Sequence, residues 1–185
     1  PEQELPLDPW FLGLWLGDGS TNDSTVALDY RMKAEYEVLL KTVLNETADV
    51  VWHPVLGTNG GTFRIRRRAG VCPQGHDYAE SGDYRVTSEC HPSCGVCLLD
   101  YAKCPRPAPL HQTMRERLRD VGVLGNKHIP DAYMRASYDQ RWALLQGLID
   151  SDGNVDVRGR VGFVNADVCL FDQVVELIHS LGYRT

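Results

Sequence analysis

The sequence predicts an α+β fold built by internal duplication, interrupted by a small cysteine-rich insertion. Three observations carry this. An apolar helix ending in Asp-Gly occurs twice, at Phe11-Leu12-Gly13-Leu14-Trp15-Leu16-Gly17-Asp18-Gly19 and at Leu145-Gln146-Gly147-Leu148-Ile149-Asp150-Ser151-Asp152-Gly153. Each copy is followed by short runs of strand character and then by an amphipathic helical pattern. Between them, five of the six cysteines crowd into residues 72 to 104.

Composition sets the bounds. With 185 residues and 43% hydrophobic content, the chain can bury one good core or two small ones. No run is apolar enough for a membrane span, and Pro1-Glu2-Gln3-Glu4-Leu5-Pro6 does not read as a signal peptide. A soluble protein, intracellular in cytoplasm or nucleus and not secreted, is therefore expected. The formal net charge of -6 works against nucleic-acid binding unless the basic residues cluster. They do.

In chain order, Asp8 and Pro9 form an N-cap and first-turn pair, so the first helix is expected from Pro9 to about Gly17. Val26, Leu28 and Tyr30 alternate with polar neighbours as a strand. From Lys33 to Thr47 the apolar positions Tyr36, Leu39, Leu40, Val43 and Leu44 have helical spacing. Val50 to Leu56 and Thr62 to Arg68 read as a hairpin across Gly57-Thr58-Asn59-Gly60-Gly61. In its second strand Phe63 and Ile65 point one way and Arg64, Arg66 and Arg68 the other. Such a comb has the reach for phosphates and base edges, and it is also what a solvated face paired with carboxylates looks like.

From residue 69 to 109 the pattern breaks, separating a first unit (1–68) from a second (110–185). The segment carries Cys72-Pro73-Gln74-Gly75-His76, a strand-like run from Asp83 to Glu89, then Cys90, His91, Cys94-Gly95-Val96-Cys97 and Cys104. Cys94 and Cys97 have the two-residue spacing of a zinc knuckle, and Cys72 with His76 can supply a second pair. Cys90, Cys104 and His91 are alternates. So few apolar residues cannot fold such a segment on a core, which makes a structural Zn2+ the physically motivated role.

Leu110 to Val121 returns to helical spacing through Met114, Leu118 and Val121. Ser137 and Gln140 form a capping box for the second Asp-Gly helix. A hairpin follows through Asp156, Arg158, Gly159 and Arg160 to Val161-Gly162-Phe163-Val164. Asn165 is then expected to cap a helix facing inward through Val168, Phe171, Val174, Val175 and Ile178. The layout of the first unit repeats, cut short at Tyr183-Arg184-Thr185.

The chemistry lies at the two helix ends. Gly13 and Gly17, like Gly147 and Ser151, are four apart and share one flat face, on which another backbone can approach closely. Asp18 and Asp152 sit at helix C-termini, where the macrodipole is already negative, so each is poorly placed without a cation. Gly153 can end its helix as a left-handed cap. Packing the small faces together would bring both aspartates side by side, a site for divalent cations. Two core helices ending in ordinary Asp-Gly turns would explain neither repetition.

This pair resembles the motif of the LAGLIDADG homing endonuclease family. Gln146-Gly147-Leu148-Ile149-Asp150-Ser151-Asp152-Gly153 is the closer copy; the first departs at Trp15 and Leu16 but keeps the glycines and the Asp-Gly. Lys127-His128-Ile129-Pro130 resembles the block between the two motif helices of intein endonucleases. The resemblance implies two αββαββα halves forming a saddle over double-stranded DNA, the second half incomplete, in a monomer. It implies Mg2+ at Asp18 and Asp152, helped by the carbonyls of Gly17 and Ser151, with Lys127 beside an attacking water or the phosphate. Arg64, Arg66, Arg68, Arg158 and Arg160 are its implied DNA contacts. The expected activity is a staggered cut in a long, non-palindromic site. Residue 1 is proline and no terminal His-Asn pair is present, so the expectation is the endonuclease part of an intein, or a free-standing or intron-encoded enzyme. Two alternatives stand beside it: a catalytically silent LAGLIDADG nucleic-acid-binding protein, as maturase or regulator, and a zinc-ribbon interaction module on an unrelated core.

Overall fold

A computed structural model of the chain describes residues 2–44, 48–67, 85–86, 92–93 and 112–185. It is a mixed α/β structure centred on two helices, α1 (Pro9–Asp18) and α5 (Tyr138–Asp152). Asp8 caps α1 by accepting from the Phe11 amide at 3.0 Å. Every residue from Phe11 to Leu16 is buried, so α1 is apolar all round and lies inside the molecule. Ser137 and Gln140 close a capping box on α5, as their spacing predicts.

The two helices meet backbone to backbone. A methyl group on Gly13 would strike the Leu144 carbonyl, and one on Gly147 would strike the Trp10 carbonyl and the Leu14 nitrogen. Further along the seam Gly17 lies against the Ser151 side chain. The small residues therefore set how closely α1 and α5 approach. Leu12, Leu14, Leu16, Leu144 and Leu148 fill the core on either side.

Around this pair, β1 (Thr25–Asp29), β2 (Ala48–Pro54) and β3 (Gly60–Arg67) form an antiparallel sheet of order β1-β3-β2, with α2 (Lys33–Leu44) connecting the first two. Phe63 and Ile65 are buried on its inner face beside Val26, while Arg64 and Arg66 are exposed on the other. Tyr30, assigned to the strand by alternation, instead opens a 3-10 turn. Two-residue strands β4 (Arg85–Val86) and β5 (Pro92–Ser93) pair with each other. The helix α3 (Met114–Asp120) begins at a capping box between Thr113 and Glu116, later than the apolar spacing from Leu110 suggests. A single turn, α4 (Asp131–Met134), leads into α5.

After α5 come β6 (Gly153–Val155), β7 (Val161–Phe163) and α6 (Val168–Ser180). Gly153 begins β6 and pairs with Phe163, and Gly19 makes a single antiparallel bridge to Val26 of β1, so the residue after each aspartate is bridged to a strand.

Three expectations need correction. Gly153 is not a left-handed cap: its φ of -87° and ψ of 158° are extended. Glycine is needed there because a Cβ would collide with the Ile149 carbonyl and side chain, as one on Gly19 would with Trp15. Asn165 does not cap α6; Asp167 does, accepting from the amides of Cys169 at 2.9 Å and Leu170 at 3.2 Å. The buried stripe of α6 is Leu170, Val174, Leu177 and, just past the helix, Leu181, while Val168 is 70% exposed. The helix is apolar on two faces, so helical period alone admits either. Phe171, Val175 and Ile178 line a groove with Trp142, Leu145, Ile149 and Phe163.

Candidate active site

Asp18 and Asp152 end α1 and α5 at the same end of the seam. A Cβ built on Gly17 would stand 3.3 Å from the Asp152 carboxyl carbon, so the two helix ends approach closely. Both aspartates are half-buried. Burial, followed by the negative charge of Asp152, raises the pKa of Asp18, and Lys127 pulls it back down.

Lys127 reaches this end of the seam from the loop between α3 and α4. That loop is tied down on both sides. Gly125 donates its amide to the Thr21 carbonyl at 2.8 Å. Buried Ile129 donates its amide to Gln173 Oε1 at 2.8 Å, and Gln173 Nε2 donates back to the Ile129 carbonyl at 3.3 Å. The Lys127 ammonium donates to the Gly17 carbonyl at 2.7 Å and lies 5.5 Å from the centre of the Trp15 ring. Burial lowers its pKa, while Asp152 and then Asp18 oppose the shift. Asp152, Lys127, Gly17 and Asn165 line part of a cavity of about 440 Å³ at this end of the seam, and Asp18 lies outside that lining.

The donor set can be tested against a cation. Among the described residues no three His, Cys, Asp or Glu side chains come together as a metal cluster. Magnesium does not require one: it binds through one or two carboxylates and keeps several waters. Two hard carboxylates close enough for the charge of one to act on the other, next to a carbonyl, fit that preference. The Ser151 hydroxyl turns back on its own helix, donating to the carbonyls of Gly147 at 3.1 Å and Leu148 at 3.0 Å.

Residues 139–185 match the LAGLIDADG-like domain family. The matched stretch contains Asp152, most of α5, and β6, β7 and α6. A further comparison finds 54% identity over 72 residues with the replicative DNA helicase DnaB of Mycobacterium intracellulare. The alignment covers 39% of this chain and 12% of that protein, so the chain spans only a small part of this relative.

The remaining expected residues fall in three places. Arg64 and Arg66 are exposed on the outer face of the first sheet, and an Arg66 terminal nitrogen lies 3.4 Å from His53 Nε2. Desolvation and then the charges of Arg64 and Arg66 lower the His53 pKa. Arg158 and Arg160 lie in and just after the tight turn between β6 and β7. Asp156 Oδ1 accepts from their two amides at 2.8 and 2.9 Å, and Oδ2 accepts from Arg160 Nε at 2.6 Å. Arg160 is therefore tethered to a carboxylate, while its own face stays exposed. Arg68, Cys72, His76, Cys90, His91, Cys94, Cys97 and Cys104 lie outside the described residues.

Two contributors escape sequence reasoning. Trp15, which reads as a departure from the motif, stacks under Lys127 and donates its indole N–H to the Asp23 carbonyl at 3.0 Å. Asn165 donates from Nδ2 to Asp152 Oδ2 at 2.6 Å. The only trace of the second in the sequence is a pair of cap-type residues, Asn165 and Asp167, two positions apart.

Proposed function

We propose that this chain is a site-specific DNA endonuclease of the homing type, making a staggered double-strand cut in a long, non-palindromic target by metal-assisted phosphodiester hydrolysis. The observation that carries this reading is the meeting of Asp18, Asp152 and Lys127 at one end of the α1–α5 seam. The LAGLIDADG-like match over residues 139–185 supports it.

In this reading the seam fixes the spacing of the carboxylates, since neither helix can slide without its glycines meeting backbone. Asp18 and Asp152, with the carbonyls of Gly17 and Ser151, hold the cation. Bound there, magnesium supplies Lewis-acid stabilisation of charge at the scissile phosphates. Lys127 faces the same cavity and offers a point charge to the phosphate; partial burial strengthens that charge's effect and lowers the cost of moving its proton. Arg64 and Arg66, with Arg68, Arg158 and Arg160, grip the flanking duplex. In the cysteine-rich segment, which lies outside the described residues, Cys72, His76, Cys94 and Cys97 are the proposed ligands of a structural zinc, with Cys90, Cys104 and His91 as alternates.

The genetic setting we favour is the endonuclease part of an intein within a replicative helicase, because the 72-residue likeness covers so small a share of a DnaB protein. The test follows directly. Duplex DNA spanning an uninterrupted helicase gene is incubated with the chain, in magnesium or in EDTA, beside Asp152→Asn. Magnesium-dependent cutting at one site, lost in the variant, supports the proposal. Binding without cutting moves the assignment to a silent DNA-binding relative, and neither binding nor cutting rejects it.

A further inference from the structure

We infer that Asn165 is the positioning residue for Asp152, and that it makes Asp152 the pre-set half of the cation site while Asp18 is left to be ordered by its ligand. The inference rests on the cation site proposed above and goes beyond it by naming how one carboxylate is held.

The Asn165 side chain makes two hydrogen bonds. Nδ2 donates to Asp152 Oδ2 at 2.6 Å, and Oδ1 accepts the Asp167 amide at 2.8 Å. These partners fix the orientation of the amide without ambiguity. A backbone N–H can only donate and an ionised carboxylate can only accept, so the oxygen must face Asp167 and the nitrogen Asp152. Asp167 in turn caps α6. The Asp152 carboxylate is therefore linked through one side chain to the N-terminus of a 13-residue helix whose stripe Leu170, Val174 and Leu177 is buried in the core. Its rotamer is set by the fold. One oxygen is occupied by the amide and the other is left for a cation.

Asp18 has no such support. Gly19 bridges Val26 as Gly153 pairs with Phe163, so the place two residues beyond Phe163, held by Asn165, corresponds to Leu28 in the first unit. Leucine cannot donate. Among the described residues no side chain hydrogen-bonds to the Asp18 carboxylate; its neighbours act on it through charge and burial alone. Partners that orient a metal ligand commonly contribute ten- to hundred-fold in affinity, so two otherwise matched carboxylates become unequal.

The experiment uses the full chain and Mn2+ as probe, without DNA, following water-proton relaxation. Asn165→Leu is expected to weaken Mn2+ binding about ten-fold. The same loss is expected in an Asp18→Ala background and none in an Asp152→Ala background, because the residue acts through Asp152. Thermal unfolding of each metal-free variant checks the fold. Should the leucine variant not fold, Asn165→Ser takes its place, since it keeps the site polar but cannot span to both partners. Unchanged Mn2+ affinity on substitution, an equal loss in the Asp152→Ala background, or no binding by the parent chain would each overturn the inference. The outcomes separate from those of the nuclease reading. An Asn165-dependent cation site on a chain that cuts no DNA keeps this role and rejects that function. Cutting with no Asn165 dependence does the reverse.

Discussion

Asp18 ionises at a cost that Asp18→Asn would remove. Burial and the nearby Asp152 raise its pKa above the ordinary aspartate value. A carboxyl raised on folding stabilises the fold while protonated, below its unfolded value, and that contribution is lost as pH rises through the folded value. Asparagine does not titrate. The variant should therefore match the parent in Tm at a pH below the ordinary aspartate value and exceed it near pH 7, with the gap opening as pH rises. Differential scanning calorimetry across that range checks it; a gap that closes with rising pH would contradict the burial argument. The same substitution at either aspartate should lower cutting by at least about a hundred-fold, while DNA affinity in EDTA stays within a few-fold. Gel-shift and cleavage assays on one preparation measure both. Repetition singled out Asp18, Asp152 and Gly17 in the sequence and the resemblance of Lys127-His128-Ile129-Pro130 to an intein block singled out Lys127, and the fold brings these residues to one end of the seam. Neither singled out Asn165, since its role depends on a strand pairing that no local pattern shows.

The seam is the element that holds the aspartates together, and its tolerance is small. Gly147→Ala would drive a methyl into the Trp10 carbonyl, a backbone atom that cannot rotate aside. Such overpacking costs about 1–3 kcal/mol. We expect a lowered denaturant midpoint for Gly147→Ala and for Gly13→Ala, and reduced cutting even where both remain folded. In contrast, alanine at Gly159 meets no neighbouring atom, so its cost is limited to the strain of a φ of +78°. The helices and the arginine strand were readable from period and caps, and the Asp8 and Ser137 caps lie where their residue types place them. The face of α6 was not, because Leu170, Val174 and Leu177 compete with Phe171, Val175 and Ile178 for the same helical period. Only the position of α5 and of the Ile129 loop decides between them.

On the scale of the whole molecule, a net charge of -6 has to be reconciled with the proposed DNA partner. Local clustering does this if Arg64 and Arg66 face the duplex together, as their shared exposure allows. Replacing both by alanine should weaken binding about equally for any duplex contacted through phosphate. It should also flatten the slope of log affinity against log salt by about two. Fluorescence anisotropy at several salt concentrations measures this; an unchanged slope would leave the sheet face as the solvated surface that its pattern also permits. The α+β class and the central position of the Asp-Gly helices were readable because both depend on apolar residues in regular period. The way the strands pair was less so: β3 lies between β1 and β2, a neighbour relation set by long-range register.

The glycine seam also bears on how a protein with the proposed activity would lose it over generations. The carboxylates sit at the edge of the core and the glycines inside it, so the two kinds of residue are exposed to different selection. A change at Asp18 removes chemistry and, by the argument above, leaves the fold no weaker. A change at Gly13 or Gly147 weakens the fold as well as the chemistry. Decay should therefore begin at the aspartates, and an inactive descendant would be recognised by intact glycines beside a missing acid.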